Sequence, residues 1–253
     1  MNYDQDFLLL LEDAKQEFSG WDFSYVSETG RFQTELLPWS YGSMAICHVR
    51  KAKSLLDMGT GGGEFLSRMK PLPEHTQATE GYEPNIAASK GKLEPLGVTV
   101  SYITDDSSLP YQDKSFDLIL NRHESYSPAE VRRIVADQGV FLTQQVGGAD
   151  CSEINEALGV QVNPEFSHWN LQHAVEQLTQ NSFKIVYYSE HFPIQRFYDI
   201  GALVYYLKAI SWQVPGFHTE EHIDRLYQIH RTISNTGFFN TRQHRFVIKA
   251  EAV

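Results

Sequence analysis

Residues 54–69, SLLDMGTGGGEFLSRM, set four glycines within positions 59–63, directly after a short apolar run. Glycine costs conformational entropy in a strand or a helix, so this density marks a sharp turn or a ligand lying close on the backbone. Two nucleotide-binding turns do not fit. A phosphate loop needs Gly-Lys-Ser/Thr, and none follows these glycines. The dinucleotide fingerprint Gly-x-Gly-x-x-Gly needs glycine or alanine at position 64, where the chain has Glu64. A carboxylate at that helix start repels a pyrophosphate. What is left is Asp57 followed by Gly59-Thr60-Gly61-Gly62-Gly63-Glu64, a backbone cradle with acid on both sides. It suits a ligand with a cationic head and no phosphate; the other reading is a tight strand–helix turn with no ligand.

The rest of the chain bounds that choice. Its 253 residues suffice for one large domain, or for one domain with an insertion. With 42% hydrophobic and 21% charged residues, the composition is that of an ordinary globular protein. A net charge of −11 and the absence of a basic run argue against a nucleic-acid partner. The two cysteines, Cys47 and Cys151, have no metal-ligand spacing, so no metal is expected, and so few in this length fit a reducing compartment. The opening MNYDQDFLLLLEDAKQEF has only a short apolar run, Phe7 to Leu11, flanked by acids, and no long apolar span occurs elsewhere. A cytoplasmic protein without membrane contact is therefore expected.

Apolar runs at Leu55–Met58, Gln77–Tyr82, Val98–Ile103, Phe116–Leu120 and Val140–Val146 read as strands, each ending in a polar or glycine-rich stretch. Between them, EPNIAASKGKLEPLG has Pro84 in a first helical turn and closes on Gly97, and SPAEVRRIVADQG repeats the signature with Pro128 and Gly139. This alternation implies a parallel sheet with helices on both faces. After residue 147 the reading is a helix near 170–180, a strand at 183–189, a long stretch over 191–243 and a last strand from His244. The stretch 191–243 is too long for a plain loop and is expected as a helical insertion. The expected organisation is a single domain over 1–253, with a helical cover (1–53), a core sheet (54–190 and 244–253) and a helical lid (191–243).

Glu83, in TEGYEPN, follows the second strand and lies twenty residues past Gly63. A carboxylate at that separation can accept both hydroxyls of a ribose. Glu80 is the rival, but it falls within the expected strand rather than at its end. Taken in order, LLDMGTGGGEF, EGYEPN and ITDDSSLPYQDKSFDLIL resemble the successive motifs of class I S-adenosylmethionine-dependent methyltransferases with a type 11-like domain, whose third motif reads Asp-x-x-x-Leu-Pro-aromatic before Phe-Asp. The resemblance covers about residues 54–146. It implies an α/β, Rossmann-like, doubly wound seven-stranded sheet, mostly parallel with the last strand antiparallel, and S-adenosyl-L-methionine as cofactor. It also implies that Gly59, Gly61 and Gly63, with Thr60 in the same turn, line the methionine portion. Glu83 would hold the ribose, and Asp105 or the adjacent Asp106 would meet the adenine amino group. Asp57 would fix the turn and reach the ligand amino group through water, and Asn121 counts among the cofactor contacts. The cofactor has a sulfonium and an ammonium but no phosphate, which suits an acidic cradle.

NRHESY, residues 121–126, stands where base-methylating families often place Asn-Pro-Pro-Tyr or Asp-Pro-Pro-Tyr, so base methylation by that device is not expected. His123 is the candidate catalytic base, with Glu124 and Tyr126 beside it as substrate contacts. Gln144 and Gln145 orient substrate or cap the sheet edge. Trp39 and Tyr41, in LLPWSYGSMAI, are candidate substrate contacts that cover the cofactor or form core, and Arg196 and His218 are candidate substrate contacts from the insertion. The expected reaction is methyl transfer to an O or N atom of a small, partly apolar acceptor. The alternatives are a non-catalytic S-adenosylmethionine-binding or sensing protein, an RNA methyltransferase, and an NAD-dependent oxidoreductase, the last opposed by Glu64 and the third motif.

Overall fold

Residues 3–18 and 23–253 are described in the computed structural model, where the chain passes repeatedly between two compact units. It starts in the first unit with α1 (Gln5–Asp13), α2 (Ser24–Ser27) and β1 (Phe32–Thr34). The second unit follows with α3 (Tyr41–Val49), β2 (Ser54–Met58), α4 (Glu64–Ser67), β3 (His75–Glu80), α5 (Glu83–Leu93), β4 (Thr99–Tyr102), β5 (Phe116–Arg122), α6 (Pro128–Ile134) and β6 (Val135–Val146). After α7 (Ser152–Leu158) in the first unit come α8 (Leu171–Gln180) and β7 (Phe183–His191), nearly all in the second. The first unit is completed by β8 (Ile194–Phe197), α9 (Ile200–Ala209), α10 (Ile223–Thr236) and β9 (Phe239–Arg242), and β10 (Arg245–Ala252) returns to the second.

The second unit is built on a seven-stranded sheet of order β4-β3-β2-β5-β6-β10-β7. The β2–β3, β2–β5, β3–β4 and β5–β6 pairs are parallel, and β10 runs antiparallel to β6 with Val247 opposite Gln144. The expected sheet, with its antiparallel last strand beside β7, is therefore formed. Period-two alternation sorts its side chains between two apolar layers. Leu55, Leu118, Leu120, Leu142 and Val247 pack with Tyr41 and Ala45 of α3, Leu66 of α4 and Leu93 of α5. Leu56, Ile119, Phe141, Phe246 and Ile248 pack with Val131 and Ile134 of α6 and with Ala174 and Leu178 of α8. Pro84 opens α5, and Gly97, at φ 81°, closes the short turn after it, as expected.

The helix over 127–139 is shorter than expected. It stops at Ile134, and Val135 already pairs with Phe116 as the first residue of β6. The register then shifts until Leu118 faces Val140. Gly139 serves this irregularity rather than a helix end, since a Cβ there would lie 2.8 Å from the Ala136 carbonyl oxygen.

The first unit has a three-stranded sheet of order β1-β8-β9, antiparallel throughout, with Phe197 opposite both Phe32 and Phe239. Residues 191–243 thus differ from the expected purely helical insertion, because β8 and β9 at its two ends pair with each other and with β1. The stretch shares one apolar core with Phe7, Val26, Ile154 and Leu158 from the other segments of the unit. The helical cover expected over 1–53 is likewise divided, with residues up to Leu37 in the first unit and α3 in the second. α9 is apolar all round and buried over Ile200–Leu207, as a helix enclosed on every side must be. Asp199 caps it by accepting from the Ala202 N–H at 2.8 Å and takes two hydrogen bonds from the Arg31 guanidinium. Among the described residues no helix is long and apolar enough to cross a membrane.

Candidate functional site

The glycine turn between β2 and α4 lies at the carboxyl ends of the parallel strands, where open α/β sheets bind ligands. Gly59 and Gly61 have φ of 64° and 62°, left-handed values that favour glycine. The turn is tied to the neighbouring strand: the Thr60 N–H donates to the Thr79 carbonyl at 2.9 Å, and the Gly61 N–H donates to Glu80 Oε2 at 2.6 Å. Glu80 Oε1 accepts from the Tyr82 N–H at 2.8 Å. Glu80 is therefore the buried last residue of β3, and its carboxylate clamps the glycine turn. The expected strand end at Tyr82 moves to Glu80, because this side chain turns the backbone there. Glu83 is exposed in the first turn of α5, and no hydrogen bond to its carboxylate is found among the described residues.

Above the turn the acids gather. Asp57 is buried and accepts from the Thr60 hydroxyl at 2.7 Å. Burial pushes its pKa up to about 6, with Glu80 adding to the rise and the Thr60 hydrogen bond and Arg122 opposing it. Glu124 lies directly over Gly59, where an added Cβ would come within 2.5 Å of its Oε2. Burial, then Asp106 and Glu80, push Glu124 up to about 7. A Cβ at Gly61 meets nothing within 4 Å, so the cradle is open there. Glu64 is paired with Lys92.

Asp105 and Asp106 divide the work of the third motif. Asp105 is exposed and accepts from the Ser107 N–H and hydroxyl at 2.8 and 2.6 Å, bonds that hold its pKa below the usual value. Asp106 is half-buried and accepts from the Ser125 hydroxyl, and burial raises its pKa. The loop is anchored by a pair that the sequence reading missed. Glu130 accepts from the Leu109 N–H at 2.6 Å, and Arg133 donates to the Leu109 and Tyr111 carbonyls. The spacing of Glu130 and Arg133, three apart on a helix opened by proline, was the available signal.

Several expected contacts have other roles. Asn121 is fully buried, and its Oδ1 accepts from Thr143 and Gln145 at 2.9 and 2.6 Å, which leaves it a brace between β5 and β6. The Tyr41 hydroxyl is buried against Asn121 N, Asn121 O and Leu142 O at 3.1–3.2 Å, so this ring is core rather than a substrate contact. The Tyr126 ring packs on Phe141 and Trp169. In the first unit, Arg196 lies over Phe238 and donates to Asn240, structural contacts of its own sheet. The His218 carbonyl oxygen is 3.0 Å from His222 Nδ1.

Trp39, Gln144 and His123 form a chain that decides the histidine's chemistry. An indole N–H only donates, so Trp39 Nε1, 2.8 Å from Gln144 Oε1, fixes which way that amide points. The Gln144 NH2 must then donate to His123 Nε2 at 2.9 Å, and the ring proton sits on Nδ1. The His123 N–H donates to the Gln144 carbonyl at 2.7 Å, and the residue has φ 62°. Although His123 keeps an exposed surface, the surrounding protein, Arg245 and Arg122 push its pKa down to about 3. A lone pair already occupied by the Gln144 NH2 does not suit proton abstraction. The expected base is instead a fixed donor.

Residues 56–143 match the family model described as a methyltransferase domain. No curated protein matches the chain. Among solved structures, the YcgJ protein of Bacillus subtilis aligns with a TM-score of 0.57 at 16% identity, over 84% of this chain and 97% of that one. A protein of Bacillus halodurans C-125 assigned as a methyltransferase aligns at 0.56 and 16%, over 82% and 96%. Geranyl diphosphate methyltransferase in complex with GPP and sinefungin aligns at 0.50 and 14%, over 84% and 77%. These likenesses share the fold.

Proposed function

We infer that the chain, which matches a methyltransferase-domain family model over residues 56–143, is a class I S-adenosylmethionine-dependent methyltransferase that transfers a methyl group to an O or N atom of a small-molecule acceptor. The observation that supports this best is the open, acid-flanked glycine turn. A side chain at Gly61 would enter an open cradle, Glu124 lies over Gly59, the Asp106 charge acts on Glu124, and Lys92 is engaged with Glu64. That donor set fits two cationic groups and a ribose and does not fit a pyrophosphate. When bound, S-adenosylmethionine supplies an electrophilic methyl group.

This chain's own residues then bind and orient. Gly59, Thr60, Gly61 and Gly63 offer backbone, Asp57 braces the turn, Glu83 takes the ribose hydroxyls and Asp106 the adenine amino group. Asp106 is favoured over Asp105, whose carboxylate already caps its own loop. Glu124, beside Gly59, faces the cationic end. His123, Gln144 and Trp39 hold the acceptor. Alignment and exclusion of water carry the displacement, worth up to about 7–11 kcal/mol in favourable cases.

Calorimetry with S-adenosylhomocysteine and with NAD tests the cofactor half of this reading. Micromolar binding of the former is expected, on the order of −8 kcal/mol. Tighter binding of NAD refutes it. Radiolabelled S-adenosylmethionine with pooled small-molecule acceptors tests the transfer. Cofactor binding with no labelled product in any pool would favour a binding or sensing protein.

A further inference from the structure

Granted the S-adenosylmethionine reading, on which this rests, we propose that Arg122 receives the carboxylate at the amino-acid end of the cofactor. That end is a zwitterion. The acids around the glycine turn suit its ammonium, the sulfonium and the ribose hydroxyls, and they repel its carboxylate. A carboxylate taken out of water needs a cation or hydrogen-bond donors in its new surroundings.

The strand register puts a cation at the turn. Met58 pairs with Asn121 across β2 and β5, so the residues that follow, Gly59 and Arg122, stand side by side where the strands end. Leu118 and Leu120 face the layer of α3, α4 and α5, and Arg122 follows them at the same period. Its guanidinium accordingly lies over the ring of Phe65, in α4, at 4.8 Å. That contact uses the face of the guanidinium, steadies its plane and leaves the N–H groups of its edge to form a fork on a carboxylate. Arg122 is exposed, and among the described residues it makes no salt bridge. Its charge reaches the turn, where it opposes the rise in the pKa of buried Asp57. Lys92, by contrast, is paired with Glu64, and the charge of Arg68 acts on that same carboxylate. Glu124 lies over Gly59. The first glycine of the turn thus has a carboxylate over it and an arginine beside it, with no salt bridge between the two. Opposite charges held apart in this way match the ammonium and the carboxylate of one α-amino acid.

The test compares two nucleosides that differ in one group. Calorimetry on the full chain uses S-adenosylhomocysteine and its decarboxylated analogue, which keeps the amine and lacks only the carboxylate. The wild type should bind S-adenosylhomocysteine about tenfold or more tightly than the analogue, the scale of a charge-assisted hydrogen bond. Arg122→Gln should weaken S-adenosylhomocysteine by a similar factor and should not weaken the analogue. Arg122→Lys, which keeps the charge and loses the planar fork, should keep part of the preference. Circular dichroism checks that each variant is folded. Equal affinity of the wild type for the two nucleosides, an unchanged affinity of folded Arg122→Gln for S-adenosylhomocysteine, or an equal loss for both nucleosides in that variant would each overturn the assignment of Arg122 and leave the cofactor reading standing. Failure of the wild type to bind S-adenosylhomocysteine at all would instead sink the cofactor reading, and the role of Arg122 with it.

Discussion

Replacing Glu80 by glutamine keeps the side chain's shape and removes one of its two acceptors. In the native chain, Oε2 takes the Gly61 N–H at 2.6 Å and Oε1 takes the Tyr82 N–H at 2.8 Å, in a residue only 4% exposed. An amide satisfies one of these donors and turns its own NH2 toward the other, leaving a buried N–H without a partner. That costs about 2 kcal/mol. At about 2–4 °C per kcal/mol for a chain of this size, Glu80→Gln should melt about 4–8 °C lower. Because the glycine turn loosens, affinity for S-adenosylhomocysteine should fall as well. Glu83→Gln should behave differently. Its exposed carboxylate supports nothing in the fold, so stability should stay within about 0.5 kcal/mol. Losing charge-assisted bonds to a ribose should still cost about 1.5–3 kcal/mol of binding. Thermal melts and calorimetry on the two variants separate a clamp from a ligand contact. An unchanged melt for Glu80→Gln, with its affinity reduced and that of Glu83→Gln intact, would show that Glu80 is the ribose acceptor and the clamp reasoning is wrong.

Glu124 and Asp57 titrate at about 7 and about 6 in the folded chain, above the ordinary carboxylate values of 4.5 and 3.8. The folded state therefore binds these protons more tightly than the unfolded one. Their contribution to stability is complete below the ordinary values and is lost as pH rises through 6 and 7. Urea unfolding should show Glu124→Gln gaining stability relative to wild type on going from about pH 5 to about pH 8; a pH-independent difference would contradict it. A cationic cofactor favours the carboxylates, so its binding between about pH 6 and 7 should release protons, measured by calorimetry in buffers of different ionisation enthalpy. Tyr41→Phe should cost about 1–3 kcal/mol in urea unfolding, because its hydroxyl serves buried backbone groups of β5 and β6. With an acceptor in hand, the pH–rate profile should lack a histidine limb near 6.5, and a limb that disappears in His123→Phe would restore that residue as the base.

Much of this protein is written in local sequence. The apolar runs at 55–58 and 116–120, Pro84 and Gly97 around α5, and the glycines at 59–63 each act through near neighbours, and each lies where the sequence places it. Tertiary structure decided what depends on partners far along the chain. Whether Glu80 or Glu83 is left for a ligand turns on a hydrogen bond from Gly61, nineteen positions away. The tautomer of His123 is set through Gln144 by Trp39, which lies 105 residues before that glutamine. β8 and β9 exist as strands because β1, at residues 32–34, supplies the free edge that 194–197 needs. Arg122 comes beside the glycine turn only through the register of β2 and β5. Backbone preference acts over a few residues and is legible in sequence. Hydrogen-bond donors, acceptors and charges act through space, and which of them become neighbours is settled only when the chain has folded.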